Sequence, residues 1–437
     1  MLTYSDKVIL APMVRIGTLP FRLLCLDYGA DIVYSEEIID FKILHSKRIK
    51  NEVLGTIDYV APDGTIIFRT CSAEKDKVVF QMGTCDAKRA LKVAKIIEDD
   101  VAGIDVNMGC PKEFSIKGGM GAALLEQPEK VREILTTLVN GIKKPVTCKI
   151  RILPNLEETL NLVKIIESTG VKALAVHGRI RTQRSSQPCN YDVISEISKS
   201  ISIPVIANGG SLDVKSFDEI ERFRKNTCCS SVMLARAAEW NPSVFRRQGL
   251  LSTQNEIKDY LTYALMFDHN FPGTKYCICQ LMHKSLDTDD GQKLLASKTF
   301  DELCEIFGMK SQLNQVVEKR RRKLGEIEEE IEKSIGYAEK RRKTDGFICK
   351  NIKFNKHDFP KTITPKMILF EHTRKSNLPP PKYTTETNSD RLFKSVLTVD
   401  GRKYGTLTWE KSKQATEQAA AMVYLKHHGL SDGKKIK

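Results

Sequence analysis

The sequence predicts an α/β chain: a closed (β/α)₈ barrel, an α-helical domain behind it, and a small terminal α-β-β-β-α module. Three patterns carry this expectation. Across roughly the first 245 residues, eight short β-branched runs alternate with longer segments of helical period. From about Gln254 to Ser334 only the helical period remains. Beyond Thr364, three strand-like pieces lie between two helices.

The barrel strands are expected at residues 8–13, 32–36, 78–82, 103–107, 146–150, 173–177, 204–207 and 231–234. Helical segments between them include 87–99, 128–140 and 156–168; in the last, Leu156, Leu160, Val163 and Ile166 recur at a spacing that faces them to a sheet. Eight βα units in about 250 residues fit a closed barrel better than an open, doubly wound sheet. One interruption, 56–70, contains Val60-Ala61-Pro62-Asp63-Gly64-Thr65, a hairpin turn between two strands inserted after the second barrel strand. In the helical domain Tyr260, Leu261, Tyr263, Ala264 and Phe267 share a face, which marks a separate bundle. It runs into dense alternating charge between Glu318 and Lys333, suited to an exposed helix with i,i+4 ion pairs. The pattern is lost from about Tyr337 to Phe359, as in a charged linker. The terminal module opens at Thr364-Pro365, an N-cap followed by proline at the first helical position, and Pro379-Pro380-Pro381 stops that helix. Strands at 382–386, 392–399 and 404–409 lead to an alanine-rich helix at 411–428, with Ala415, Ala419, Met422 and Val423 on one side. The expected domains are therefore 1–248 (barrel), 249–335 (helical), 336–358 (linker) and 359–437 (terminal module).

At 437 residues there is ample material for an enzyme core. The twelve cysteines are scattered without the spacing of a disulfide framework, and Cys228-Cys229 and Cys277-Ile278-Cys279 lack the paired ligand sets of a zinc site. Reduced thiols and no metal are expected. The amino terminus shows no apolar or Arg/Ser-rich leader, and no stretch approaches the ~20 apolar residues that cross a bilayer. A soluble, cytoplasmic protein with no membrane partner follows as the expectation, with nuclear entry left open by the basic runs. The net charge of +14 is uneven: residues 346–437 hold 18 Lys+Arg against 8 Asp+Glu, or +10 of the total. A basic module on a nearly neutral body points to a polyanionic partner.

In a barrel, chemistry gathers where strands end and βα loops begin. There the chain places Ala11-Pro12-Met13, Gln81, Asn107 and Cys110, Lys149 and Arg151, His177 and Arg179, Asn208-Gly209-Gly210, and Ala235-Arg236. This set suits a flat, hydrogen-bonding cofactor with a phosphate tail. Asn208-Gly209-Gly210 and Ala235-Arg236 follow strands seven and eight, where barrels commonly bind phosphate through backbone N–H groups. Lys149 and His177 can donate to the electron-rich edge of an isoalloxazine, and Gln81 can donate and accept at its pyrimidine edge. Cys110, at the end of strand four beside Gly118-Gly119-Met120-Gly121, is the first candidate for a catalytic group. A lone cysteine or histidine is more often core than catalytic; here the surrounding run outweighs that prior.

The strings Ala11-Pro12-Met13, Gln81-Met82-Gly83, Asn107-Met108-Gly109-Cys110-Pro111-Lys112, Lys149-Ile150-Arg151, His177-Gly178-Arg179 and Ala207-Asn208-Gly209-Gly210 resemble the flavin-dependent tRNA dihydrouridine synthases. The terminal module resembles a double-stranded RNA-binding domain, as in the eukaryotic branch of that family that modifies uridine 20 of the D-loop. The resemblance implies FMN bound at a TIM barrel mouth, NADPH or NADH as reductant, and reduction of the uracil C5–C6 bond within tRNA. It implies Cys110 as the general acid for C5, with Lys112 or Lys149 lowering its pKa. RNA contacts are then expected from Asn107, Arg151, Arg179 and Arg181 on the barrel. In the module they are expected from Lys366 and Glu371 at a minor groove and from Lys411 and Lys413 at phosphates. Two other readings compete: a flavin barrel acting on a free pyrimidine, of dihydroorotate or dihydropyrimidine type, which leaves the module unexplained, and a non-catalytic RNA-binding scaffold, which leaves the barrel-mouth residues unexplained.

Overall fold

The computed structural model describes residues 2–342, 347–350, 352–360, 363–388, 392–406, 409–410 and 412–434, without the side chains of 328, 331–342 and 357. They form two compact units, Met1–Leu324 and Gly325–Lys437.

In the first unit, β1 (Val8–Leu10) and β2 (Ile32–Ile39) are followed by a three-stranded antiparallel insertion, β3 (Lys47–Asn51), β4 (Thr56–Val60) and β5 (Ile66–Cys71). The barrel resumes with β6 (Val78–Gly83), β7 (Gly103–Met108), β8 (Val146–Arg151), β9 (Ala173–His177), β10 (Val205–Asn208) and β11 (Ser231–Leu234). The eight strands close in the order β1-β11-β10-β9-β8-β7-β6-β2, every neighbouring pair parallel. Alternation along the strands explains the closure. Ile9, Tyr34, Val79, Ala173, Ala175, Ile206 and Met233 pack together as one buried cluster, while their neighbours Val8, Leu10, Val33, Val78 and Phe80 belong to the larger core. Both faces of each strand are thus removed from water, as a parallel barrel requires.

All eight predicted strands are present, and three differences are informative. The hairpin expected at 56–70 exists, with Gly64 at φ +90° and the Ala61 N–H on the Thr65 carbonyl, but β3 adds a third strand. The helix Leu156–Ser168 buries Thr159, Leu162, Val163 and Ile166, so its apolar stripe is rotated away from Leu156, which is exposed. The helices from Thr253 to Ile306 are not a separate bundle: they share a core with the barrel, with the Tyr260 ring on Phe21 and the Tyr28 hydroxyl donating to Asp259 at 2.7 Å.

The second unit has a four-stranded sheet, β12 (Phe347–Lys350), β13 (Lys382–Thr387), β14 (Phe393–Val399) and β15 (Arg402–Thr406), in the order β12-β15-β14-β13. The helices Pro365–Lys375 and Lys413–His427 accompany it; the Thr364 cap accepts from the Met367 N–H, and Leu369, Leu397, Tyr404, Ala420 and Val423 form its core. The expected linker at 336–358 is corrected here. The helix Lys310–Arg342 continues through its first part, and β12 then pairs in parallel with β15, while Ile352 and Phe359 are buried in the module's core.

Candidate active site

β7 delivers the loop that carries Cys110. The Asn107 side-chain carbonyl, one residue from the strand's end, accepts the N–H groups of Gly109 at 3.0 Å and Cys110 at 2.9 Å. Arg151, at the end of β8, donates Nε to the Gly109 carbonyl at 2.9 Å and Nη1 to that of Ile180 at 3.1 Å. The Cys110 carbonyl accepts the Ala122 N–H. Gly121, at φ +56°, is obligatory: a Cβ there would stand 2.4 Å from Ser115 Oγ and 2.7 Å from the Cys110 carbonyl oxygen. Cys110 is half-buried on a loop that its neighbours hold from three sides. Burial first, and then the charge of Glu37, push its thiol above the ordinary value; the backbone N–H of Lys112 counters only in part. The lowering expected from Lys112 or Lys149 is therefore overturned.

Behind the loop lies a polar chain inside the barrel. The fully buried Gln81 donates Nε2 to Asp105 at 2.8 Å and accepts from Asn107 Nδ2 at 3.1 Å, and Thr147 donates to the other Asp105 oxygen at 2.7 Å. Burial pushes Asp105 up to about 6. Gln81 and Asn107 therefore brace Cys110 from beneath.

A cationic group occupies the ends of β8 and β9 and the start of the helix Arg236–Trp240. Burial and the Arg151 guanidinium lower Lys149 to about 8. Burial and the charges of Lys149, Arg151, Arg179 and Arg236 hold His177 neutral. Arg179 Nη1 sits 3.2 Å from His177 Nε2, and a guanidinium can only donate, so Nε2 is the acceptor and Nδ1 carries the proton. Gly209 takes φ +116°, and a Cβ there would meet Cys189 Sγ at 2.6 Å and His177 Cδ2 at 2.9 Å; at Gly210 it would meet the Phe223 ring at 2.8 Å. Ala11 joins β1 to β11 through its N–H on Leu234, Met13 turns the next loop with its carbonyl, Pro12 lies between them half-buried, and Ala235 precedes the exposed Arg236. Asn208 is buried and donates to the Met233 carbonyl at 2.8 Å. The arginines here are offset by backbone carbonyls rather than carboxylates, so the cluster retains positive charge and fits an anionic, phosphate-bearing group.

Residues 9–276 match the family described as dihydrouridine synthase, and residues 365–428 match the double-stranded RNA binding motif. The chain belongs to the dihydrouridine synthase family. It is 40% identical over 319 residues to the tRNA-dihydrouridine(20) synthase [NAD(P)+] of Schizosaccharomyces pombe, covering 70% of this chain and 66% of that protein. To the protein of the same name in Saccharomyces cerevisiae it is 37% identical over 302 residues, covering 64% of this chain and 78% of the relative. A crystal structure of a tRNA-dihydrouridine(20) synthase dsRBD domain is 44% identical, with a TM-score of 0.20, and covers 21% of this chain and 97% of that one.

Within this dihydrouridine synthase fold, the residues expected at RNA meet varied surroundings. Arg179 is 3% exposed and donates to the carbonyls of Gln187, Gly209 and Ser185, so it ties loops together and is not a surface contact. Arg151 is a strut for the Cys110 loop, and Asn107 is a brace. Arg181 is exposed and paired with Glu126 at 2.7 Å. In the module, Lys366 is paired with Glu417 and lies over the Tyr383 ring, Glu371 pairs with Lys375 at 3.1 Å, and Lys413 is exposed in the first turn of its helix. Lys411 lies outside the described residues. The sequence reading missed Asp105 and Glu37. Each is a carboxylate within an apolar strand run, Gly103-Ile104-Asp105-Val106 and Ile32 to Ile39, and that mismatch was the available signal. Among the described residues no group of three or more metal-ligating side chains occurs, and no disulfide joins two cysteines. No described helix is long and apolar enough to cross a membrane.

Proposed function

We propose that this protein is a tRNA dihydrouridine synthase, reducing the C5–C6 double bond of uridine 20 in the D-loop with FMN as cofactor and NADPH or NADH as reductant, and that it works in the cytoplasm. The observation that carries the reading is Cys110: a thiol kept protonated at the barrel mouth, on a loop fixed by Asn107, Arg151 and Gly121. The position and the reductant follow the names of the two yeast relatives. FMN, when bound, supplies the hydride for uracil C6. Gly209, Gly210, Ala235 and Arg236 would hold its phosphate, and Lys149 and His177 would donate along its ring edge, His177 through Nδ1–H. Cys110 gives its proton to C5 from the opposite side: the S–H bond breaks, the C5–H bond forms, and water restores the proton to the thiolate. A thiol above its ordinary pKa is fully protonated at neutral pH, as an acid must be, and such a group contributes on the order of 10²–10⁴-fold. The target base lies in folded RNA and must be drawn from its stack, which calls for a separate grip. The basic double-stranded RNA-binding module supplies one that reads shape.

The test uses purified protein. A yellow flavin spectrum that NADPH bleaches and unmodified tRNA restores supports the reading. Restoration by free uracil or orotate would favour a pyrimidine dehydrogenase, and an absent flavin would favour a scaffold.

A further inference from the structure

β2 and β6 are not in simple register. Tyr34 faces Val79 and Glu37 faces Gln81, so three residues of β2 advance against two of β6. Such a bulge re-aims the side chains beyond it. Past the bulge, the Glu37 side chain reaches along β6 to Gly83, which pairs with Ile39: a Cβ there would lie 2.9 Å from Glu37 Oε1 and 2.9 Å from Ile39 Cδ1. Bulge and glycine together make room for one carboxylate at the mouth. That carboxylate is largely shielded, and among the described residues its buried Oε1 meets no hydrogen-bond donor. The Cys110 thiol lies next to it, and each shifts the other's protonation. An under-satisfied buried carboxylate is costly unless its position serves a purpose.

We propose that Glu37 is a positioning residue for Cys110: its carboxylate accepts the thiol S–H and holds sulfur and proton at the mouth until the pyrimidine takes the proton. This rests on the reading of Cys110 as the acid. After transfer to C5, a thiolate would stand beside a carboxylate; that repulsion draws a proton back from water and resets the site. The groups that act on the thiol's protonation are Glu37 from β2, Lys149 and Arg151 from β8, and Ser115 with the Lys112 N–H from its own loop. Glu37 is the one anion in that set.

The experiment measures the rate of iodoacetamide alkylation of Cys110 in the flavin-loaded enzyme against pH, reading the Cys110 peptide by mass spectrometry with the exposed Cys228 as internal reference. In the wild type the Cys110 midpoint should lie above that of a free thiol, N-acetylcysteine amide, alkylated in the same buffer. In Glu37→Gln it should fall by about one pH unit, a roughly tenfold gain in alkylation rate at a fixed pH below both midpoints. The alkaline limb of kcat/KM for tRNA should move down by the same amount. An unchanged midpoint in Glu37→Gln overturns the proposal, as does a wild-type Cys110 midpoint at or below that of the free thiol. If Glu37→Gln does not accumulate with flavin, Glu37→Ala carries the same expectation. Alkylation needs no tRNA turnover, so the pair can fail while the synthase reading stands; a shifted alkylation midpoint with no tRNA reduction in the wild type would instead sink that reading.

Discussion

Arg179 in the barrel and Lys413 in the terminal module carry the same charge and meet opposite surroundings. Arg179 is almost fully buried with its guanidinium on three carbonyls and beside an imidazole, whereas Lys413 is exposed at the start of a helix. The barrel thus uses cations as fasteners whose uncompensated charge favours an anion at the mouth. The module presents cations to solvent, where they respond to salt and to polyanions.

Substitutions at the two kinds of site should separate accordingly. Arg179→Ala leaves the carbonyls of Gln187, Gly209 and Ser185 without their donor, and a loss of about 3–5 kcal/mol in unfolding free energy is expected, read by urea titration. A loss under about 1 kcal/mol would mean those contacts are dispensable. Asp105 gives a pH test of the barrel's buried polar chain. Its folded pKa of about 6 lies above the ordinary carboxylate value of 3.8, so its contribution to stability is full below about 4 and declines as pH rises through about 6. The wild type minus Asp105→Asn difference should therefore shrink over that window, by about 3 kcal/mol; a flat difference would contradict the burial argument. Removing residues 346–437 should weaken tRNA binding about tenfold at moderate salt and make its salt dependence shallower, as seen in filter binding across a KCl series. Wild-type affinity in the truncated protein would show that the barrel alone holds the RNA. Arg181→Ala, which breaks only an exposed pair with Glu126, should change stability by no more than about 0.5 kcal/mol.

The same contrast explains what the sequence could disclose. Strands buried on both faces appear as apolar β-branched runs, so all eight barrel strands were legible, and with them the loop that carries Cys110. β3, Lys47-Arg48-Ile49-Lys50-Asn51, is polar and exposed and offered no alternation to read. β12 is four residues long, and its partner β15 lies more than fifty residues on, so only the folded sheet identifies it. Arg179 reads as a surface contact in the sequence because a guanidinium held by backbone carbonyls leaves no mark in the residues around it. The direction of the Cys110 shift was missed for a related reason: Lys112 is near in sequence, while Glu37, which dominates among the charges, is brought in by a bulge on another strand.

The central claim is that the Cys110 thiol protonates the pyrimidine, and single-turnover reoxidation tests it most directly. Wild-type and Cys110→Ala enzymes, each with its flavin reduced by NADPH under anaerobic conditions, are mixed with unmodified tRNA while flavin absorbance and dihydrouridine are followed. The account predicts that Cys110→Ala binds and reduces its flavin but returns the electrons to tRNA at least about 10²-fold more slowly. Dihydrouridine formation at the wild-type rate in that variant would contradict it.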